Sequence, residues 1–337
     1  MALKLCKSGR DGGMLLVTGG AGFIGSNVVA ALNDAGRTDV AVCDLLGREG
    51  KWRNLAKRQI VDVVPPAELP AWLSGLKLDA LLHLGAISET TAVDGDLVIE
   101  ANFRFPMRLL DWCATTATPF IYASSAATYG DGEQGFSDDP SALKKLRPMN
   151  LYGWSKHLFD LAVLDRVATG GKLPPQWAGL KFFNVFGPNE YHKGTMMSVL
   201  ARRFDDIKAG RVVQLFRSHR DGIADGDQRR DFIYVDDVVR VMMWLLAAPK
   251  ISGLFNVGTG KARSFRDLIL AAYAALGTDA NIQYIEMPEQ IRGSYQYFTE
   301  GEVGRLRAAG YNGGFTALED AVALYVKNHL DCADRFR

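Results

Sequence analysis

Long apolar runs are missing from this chain: no stretch approaches the roughly 18 uninterrupted apolar residues of a membrane span. The leading segment MALKLCKSGRDGG also has too short an apolar run for a secretory signal. Charge of one sign is equally scarce. Lys and Arg number 39 against 38 Asp and Glu, for a formal net charge of +1, and no basic run is interleaved with aromatics, which argues against a nucleic-acid track. Cysteine is sparse: Cys6, Cys43, Cys113 and Cys332 lie far apart with no C-x-x-C pair, which suits reduced thiols and offers no zinc spacing. Five scattered histidines, His83, His157, His192, His219 and His329, suggest no metal site, and His83 at the end of an apolar run reads as a satisfied core histidine. There is neither an internal repeat nor a low-complexity segment. These absences predict a cytoplasmic chain with no membrane or nucleic-acid partner and a flexible extension over residues 1–13.

What is present is enough apolar material for a large core: 48% of 337 residues are hydrophobic and 23% charged, so the chain is globular. Short apolar runs at 14–20, 40–44, 59–64, 80–86 and 120–125 alternate with helix-compatible segments, which predicts a parallel sheet covered by helices on both faces. Past residue 185 the rhythm loosens, and RSHRDGIADGDQ at 217–228 reads as a surface loop. RRDFIYVDDVVRVMMWLL and GLFNVGTG look regular enough to rejoin the first sheet. The division this predicts is 14–184 plus about 229–264 for the sheet domain. A smaller α/β domain, which would hold the substrate, takes about 185–228 and 265–337.

In VTGGAGFIGSN, Gly19, Gly22 and Gly25 follow a predicted strand and, with Phe23 and Ile24, open a predicted helix. Gly19 permits the tight turn, Gly22 lets backbone approach a diphosphate, and Gly25 lets helix and strand pack closely, while the helix N-terminus supplies free N–H donors. Asp44 ends the next strand about 20 residues on, where an acid would bond an adenosine ribose. The context predicts a Rossmann-type, doubly wound fold that binds a dinucleotide. Asp44 alone points to NAD. The following Arg48, Lys51 and Arg53 could pair with a 2′-phosphate, so the reading leans to NADP, with NAD and a merely solvated basic loop as alternatives.

NLYGWSKHLFD then acquires a role. Tyr152 and Lys156, four apart, share one helical face. A free phenol titrates near pH ~10, so using it as a base requires positive charge close by, from the lysine and from a nicotinamide. Ser124 and Ser125 of YASSAATYG supply a hydroxyl at a strand's C-terminal edge, where ligands of such sheets bind. Together these groups describe alcohol oxidation by proton removal and hydride transfer.

GxxGxxG, YASSAATYG and YGWSK resemble the extended short-chain dehydrogenase/reductase group, which acts on nucleotide-activated sugars, and the resemblance runs from Met14 to the C-terminal helix. It implies a catalytic triad of Ser125, Tyr152 and Lys156. Ala126 and Ala127 stand where the 4,6-dehydratases of this group carry an Asp–Glu pair, which leaves epimerase or reductase chemistry. HLGAISETT, FFNVFGPNEYHKGTMMSV, RRDFIYVDDV, FNVGTGKARSF and GSYQYFT are similar, in order, to the ADP-L-glycero-D-manno-heptose 6-epimerase family. That resemblance implies Lys193 as a second acid/base, Asn184 and Arg230 on the nucleotide diphosphate, Ser88 and Tyr295 along the sugar pocket, and Asn102 on the nicotinamide side. It also implies an ADP-heptose substrate and a homo-oligomer, with a pentamer among the suggested assemblies. Structural alternatives exist: Asn184 capping a turn, Tyr295 only packing, Lys193 exposed on a loop. Leu45 and Lys181 depart from the family pattern, which usually has asparagine and arginine there. Two other functions stay open: UDP-hexose 4-epimerisation by the same triad, and a non-catalytic dinucleotide sensor or scaffold.

Overall fold

The computed structural model describes residues 13–292 and 295–337, so nearly all of the expected flexible extension lies outside the described residues. In chain order the strands are β1 (Met14–Thr18), β2 (Val40–Cys43), β3 (Asp62–Val64), β4 (Leu78–His83), β5 (Phe120–Ser125) and β6 (Trp177–Phe182), then β7 (Asn184–Phe186), β8 (Val213–Phe216), β9 (Arg229–Tyr234), β10 (Gly253–Val257), β11 (Ala262–Ser264) and β12 (Ile282–Ile285). Seven of them form one sheet in the order β10-β6-β5-β4-β1-β2-β3, every neighbouring pair parallel. Such strands are buried on both faces, which is why MLLVT, VAVC and FIYASS read as continuous apolar runs rather than alternating ones.

The two-residue period of a strand divides that burial. Leu15 and Val17 face the helices Phe23–Asp34 and Val235–Ala247, whereas Leu16 faces Phe105–Thr116 and Leu151–Thr169. The Val235–Ala247 helix thus covers the main sheet, as expected of its run, and β10 extends that sheet's edge. The strand before it does not. β9 pairs with β7 and β11 in a separate three-stranded sheet, because a chain leaving β6 at Phe182 turns at once into β7, which offers β9 a second edge. β8 and β12 make a third, two-stranded sheet, and the loop 217–228 between β8 and β9 is irregular. Phe186, Leu200, Phe204, Leu268 and Tyr325 lie in the core of this outlying region.

Strand order reverses between β1 and β4, and in open parallel sheets a ligand settles in the crevice at that point, beyond the strands' C-terminal ends. Thr18 and His83 pair in register at that edge, the Thr18 hydroxyl 2.7 Å from His83 Nδ1. His83 is only half satisfied: its buried Nε2 has no partner among the described residues. Among the described residues no helix is long and apolar enough to cross a membrane.

Candidate active site

The glycine turn joins β1 to the Phe23–Asp34 helix. Gly19 has φ +67°, and a Cβ there would lie 2.5 Å from the Gly85 nitrogen on the loop after β4. A Cβ on Gly25 would come within 2.1 Å of the Gly19 carbonyl oxygen, so glycine is what lets the helix rise directly off the strand. Gly22 occupies the N-cap position and Phe23 and Ile24 begin the first turn, with no side-chain cap and no acidic residue there. The helix's leading N–H groups are therefore left for an anion, and the cradle fits a dinucleotide diphosphate.

Asp44 follows β2 and is turned back onto this turn. Its carboxylate accepts from the N–H of Ala21 (2.9 Å) and of Leu45 (2.7 Å), and Lys51 Nζ lies 2.5 Å away. The ion pair partly cancels the Asp44 charge and is made by one of the three basic residues of the following loop. Arg53 lies over the Trp52 ring.

Ser125 ends β5, and its Oγ accepts from the Ala127 N–H at 3.1 Å. Asn150 caps the Leu151–Thr169 helix by accepting from the Gly153 N–H at 2.8 Å, which starts that helix one residue before Tyr152. A Cβ on Gly153 would lie 2.6 Å from the Ala127 carbonyl, so this glycine lets the helix close on the turn that carries Ser125. Burial pushes the Tyr152 hydroxyl above the ordinary phenol value, with a hydrogen bond to the Ser125 side chain pulling the other way. The lysine on the same helical face has a partner that its spacing did not reveal. Lys156 Nζ donates to the Ala123 carbonyl at 2.9 Å on the strand below, because a buried ammonium takes the nearest acceptor. Burial lowers Lys156 to about 8, opposed by the nearby Asp160. The protein's own groups therefore leave Tyr152 raised rather than lowered.

Asn102 sits in a π-helical turn, Glu100–Arg104, between the Gly95–Ile99 and Phe105–Thr116 helices. Pro106 has no N–H to give the Asn102 carbonyl four residues back, which accounts for the widened turn. The Asn102 amide holds both neighbours: Oδ1 accepts from the Ile87 N–H, with a second lone pair left over, and Nδ2 donates to the Ile87 carbonyl and to Ser155 Oγ. It ties the loop after β4, where Ser88 is exposed, to the helix of Tyr152 and Lys156.

Lys193 lies on the 3-10 segment Tyr191–Met196, half-buried, with Nζ 5.4 Å from the centre of the Phe23 ring. The loop thus seats this amine against the glycine turn. Burial lowers its pKa, and Glu190 opposes that shift. Glu190 itself is fully buried and accepts from Ser198 Oγ, the Ser198 N–H and the Tyr325 hydroxyl, while its carbonyl holds the Lys193 N–H. Asn184 opens β7 with an exposed side chain that makes no hydrogen bond to described residues, so it caps no turn there. Arg230, two residues before Asn184's partner Phe232 on β9, is 6% exposed. Its guanidinium lies over the rings of Phe265 and Tyr295, and its NH1 donates to the Arg229 carbonyl, with no carboxylate partner among the described residues. Burying a fork of donors this way suits a phosphate oxygen as its counter-charge. Tyr295 packs edge-on to Phe216 and Tyr297.

The structure thus shows a turn built for a diphosphate, a Ser–Tyr–Lys corner at the end of β5, and a buried arginine on β9 without a carboxylate partner among the described residues. A family model described as the NAD dependent epimerase/dehydratase family matches residues 15–258. The chain belongs to that family. Among epimerase/dehydratase relatives, an ADP-L-glycero-D-manno-heptose-6-epimerase of Nitratidesulfovibrio vulgaris is 49% identical over 330 residues, covering 95% of this chain and 99% of its own. A Fusobacterium nucleatum protein of the same name is 44% identical over 96% of this chain and 100% of its own. Among solved structures, the Helicobacter pylori ADP-L-glycero-D-manno-heptose-6-epimerase superposes with a TM-score of 0.79 at 27% identity, covering 96% of this chain and 97% of that one. Asp160 and Glu190 escaped the sequence reading, and Lys181 enters it only as a departure from the family pattern. The signal was available for Lys181, since a lysine inside the apolar run LKFF needs a buried partner.

Proposed function

We propose that the chain is an epimerase that inverts C6 of ADP-D-glycero-D-manno-heptose to give ADP-L-glycero-D-manno-heptose, with NADP retained through the cycle. When bound, the nicotinamide supplies the acceptance and return of a hydride at C6. Gly19, Gly22, Phe23, Ile24 and Gly25 would hold its diphosphate, Asp44 and Lys51 its adenosine ribose and 2′-phosphate, and Asn102 and Lys156 the nicotinamide half. Tyr152, hydrogen-bonded to Ser125, takes the proton of the C6 hydroxyl as the ketone forms. Lys193 gives and takes the proton when the sugar presents its other face. Asn184 and Arg230 bind the diphosphate of the substrate, and Ser88, Ser125 and Tyr295 line the sugar. The outlying region supplies most of the substrate wall and the main sheet the cofactor cradle.

The observation that carries this reading is Lys193, a part-buried amine seated against the cofactor turn. A reductase working on one face needs one proton handler; inversion through a ketone needs groups for two faces. The near-full-length relatives of that name support the substrate. The preference for NADP over NAD rests on the Asp44–Lys51 pair. Exposed Trp154 and Leu97, on packed helical segments, support a homo-oligomer, and we place the enzyme in the cytoplasm.

Incubation of the pure protein with ADP-D-glycero-D-manno-heptose, and separately with UDP-galactose, tests the substrate. Proton NMR is expected to show the C6 epimer forming in the first mixture; turnover in the second alone would replace this reading with UDP-hexose 4-epimerisation.

A further inference from the structure

Two charges with no exposed side-chain surface lie beneath the Ser–Tyr–Lys corner. Asp160 is on the helix of Tyr152 and Lys156, two turns past the tyrosine and one past the lysine, and Lys181 is on β6, in register with Ser124 of β5. Lys181 Nζ lies 2.6 Å from Asp160 Oδ2. The same Oδ2 accepts from Ser124 Oγ at 2.6 Å, and Oδ1 accepts from the Tyr122 hydroxyl at 3.1 Å. Lys181 also donates to Thr128 Oγ1 at 2.9 Å, and that hydroxyl donates to the Ser125 carbonyl at 2.8 Å. The pair therefore bolts three segments together: the helix of Tyr152 and Lys156, the strand that ends at Ser125, and the turn after it.

We propose that Asp160 and Lys181 are positioning residues that fix the distance between the Tyr152 helix and Ser125, and that the balance of their charges sets the pH at which Tyr152 works. The inference rests on the catalytic reading of Tyr152 and Lys156. Merely packing helix on strand would not call for charges, since an apolar pair of the same volume does that at least as well. The carboxylate's field, in contrast, reaches both neighbours on its helix and opposes the loss of the Lys156 proton and the ionisation of Tyr152. Lys181 limits that field. The other titratable or charged groups facing this corner are His157 on the same helix, Tyr122 on β5, His83 on β4, and Tyr129 and Asp138 beyond the turn. Arg147 faces His157 from the preceding loop, and Glu100 and Arg104 of the neighbouring helical segment pair with each other at the surface.

The test is kcat against pH for the holoenzyme on its sugar nucleotide, with Tyr152→Phe alongside. In Asp160→Asn/Lys181→Gln both side chains can still hydrogen-bond but neither carries charge. The acid limb of its profile is expected to move to lower pH by about half a unit or more, with kcat down about tenfold. Lys181→Arg keeps the charge and is expected to restore both the limb and kcat to within about twofold. Should Asp160→Asn/Lys181→Gln not fold, Asp160→Leu/Lys181→Met serves in its place as the uncharged pair. A folded uncharged pair whose acid limb superimposes on the parent's overturns the proposal, whatever its kcat, because a structural role alone leaves the limb in place. Full activity in Tyr152→Phe would instead overturn the catalytic reading beneath it, so the two failures are distinguishable.

Discussion

The two amines of the proposed site are held in opposite ways. Lys156 projects from the middle of a 19-residue helix, 3% exposed, its Nζ fixed on a strand carbonyl and its helix bolted by Asp160 to β5 and β6. Lys193 projects from a short, kinked 3-10 segment between Gly187 and Met197, half-exposed, with Gly194 at φ +54° and a single buried carboxylate, Glu190, anchoring the loop. The first is a fixed instrument on regular elements; the second is an adjustable one on a loop. That division suits a reaction in which the substrate turns over. In the proposed reaction the group that meets the cofactor must not move, and the group that meets the second face has to follow the sugar.

The largest effect should come from the fixed side. Tyr152→Phe is expected to lower kcat by about 10³-fold or more with cofactor binding and thermal unfolding unchanged, read by steady-state rates and calorimetry. A loss under tenfold would make the corner dispensable. Lys193→Ala is expected to cost about 10²-fold in epimerisation while leaving any single-face oxidation of substrate measurable by cofactor absorbance. If both half-reactions fell alike, the loop amine would be no different from the fixed one.

Stability separates them next. Lys156 has a folded value of about 8 against 10.5 when free, so the unfolded chain binds the extra proton and the buried ammonium costs stability below pH 8. That cost fades as pH rises toward 10.5. Lys156→Met is therefore expected to raise the unfolding free energy at pH 7 by up to about 3 kcal/mol, and the gain should shrink between pH 8 and 10, as denaturant titrations can follow. A constant gain across that range would contradict the buried charge. The smallest effect belongs to the loop: Gly194→Ala forces a side chain onto φ +54°, ψ −121° with open space around it, costing about 1–3 kcal/mol locally. Slower epimerisation with a melting temperature lowered by only a few degrees is the expected signature.

Much of the fixed side was legible in the sequence. Buried parallel strands announce themselves as apolar runs, and the glycine turn and the Tyr–Lys spacing are local patterns that survive folding. Partnerships between distant residues are not. β9 looks like any other buried strand in RRDFIY; only its pairing with β7 and β11 shows that it left the main sheet. Lys156 could be placed on the face of Tyr152 but not turned toward Ala123, since the acceptor lies 33 residues away on β5. Asp160 reads as one more charged helical position until Lys181 closes on it from β6. The Asn102 bonds to Ile87 and Ser155 likewise join residues 15 and 53 positions apart, which no local pattern discloses.

The edge strand β10 has a consequence for how the chain is made. β6 acquires that neighbour only after about seventy further residues, those of β7 to β9 and their helices, have left the ribosome. Until then the nascent sheet presents an open rim of unpaired backbone, of the kind that recruits a stray strand from another chain. Synthesis halted before Gly253 should therefore leave a product that clumps rather than one that folds short.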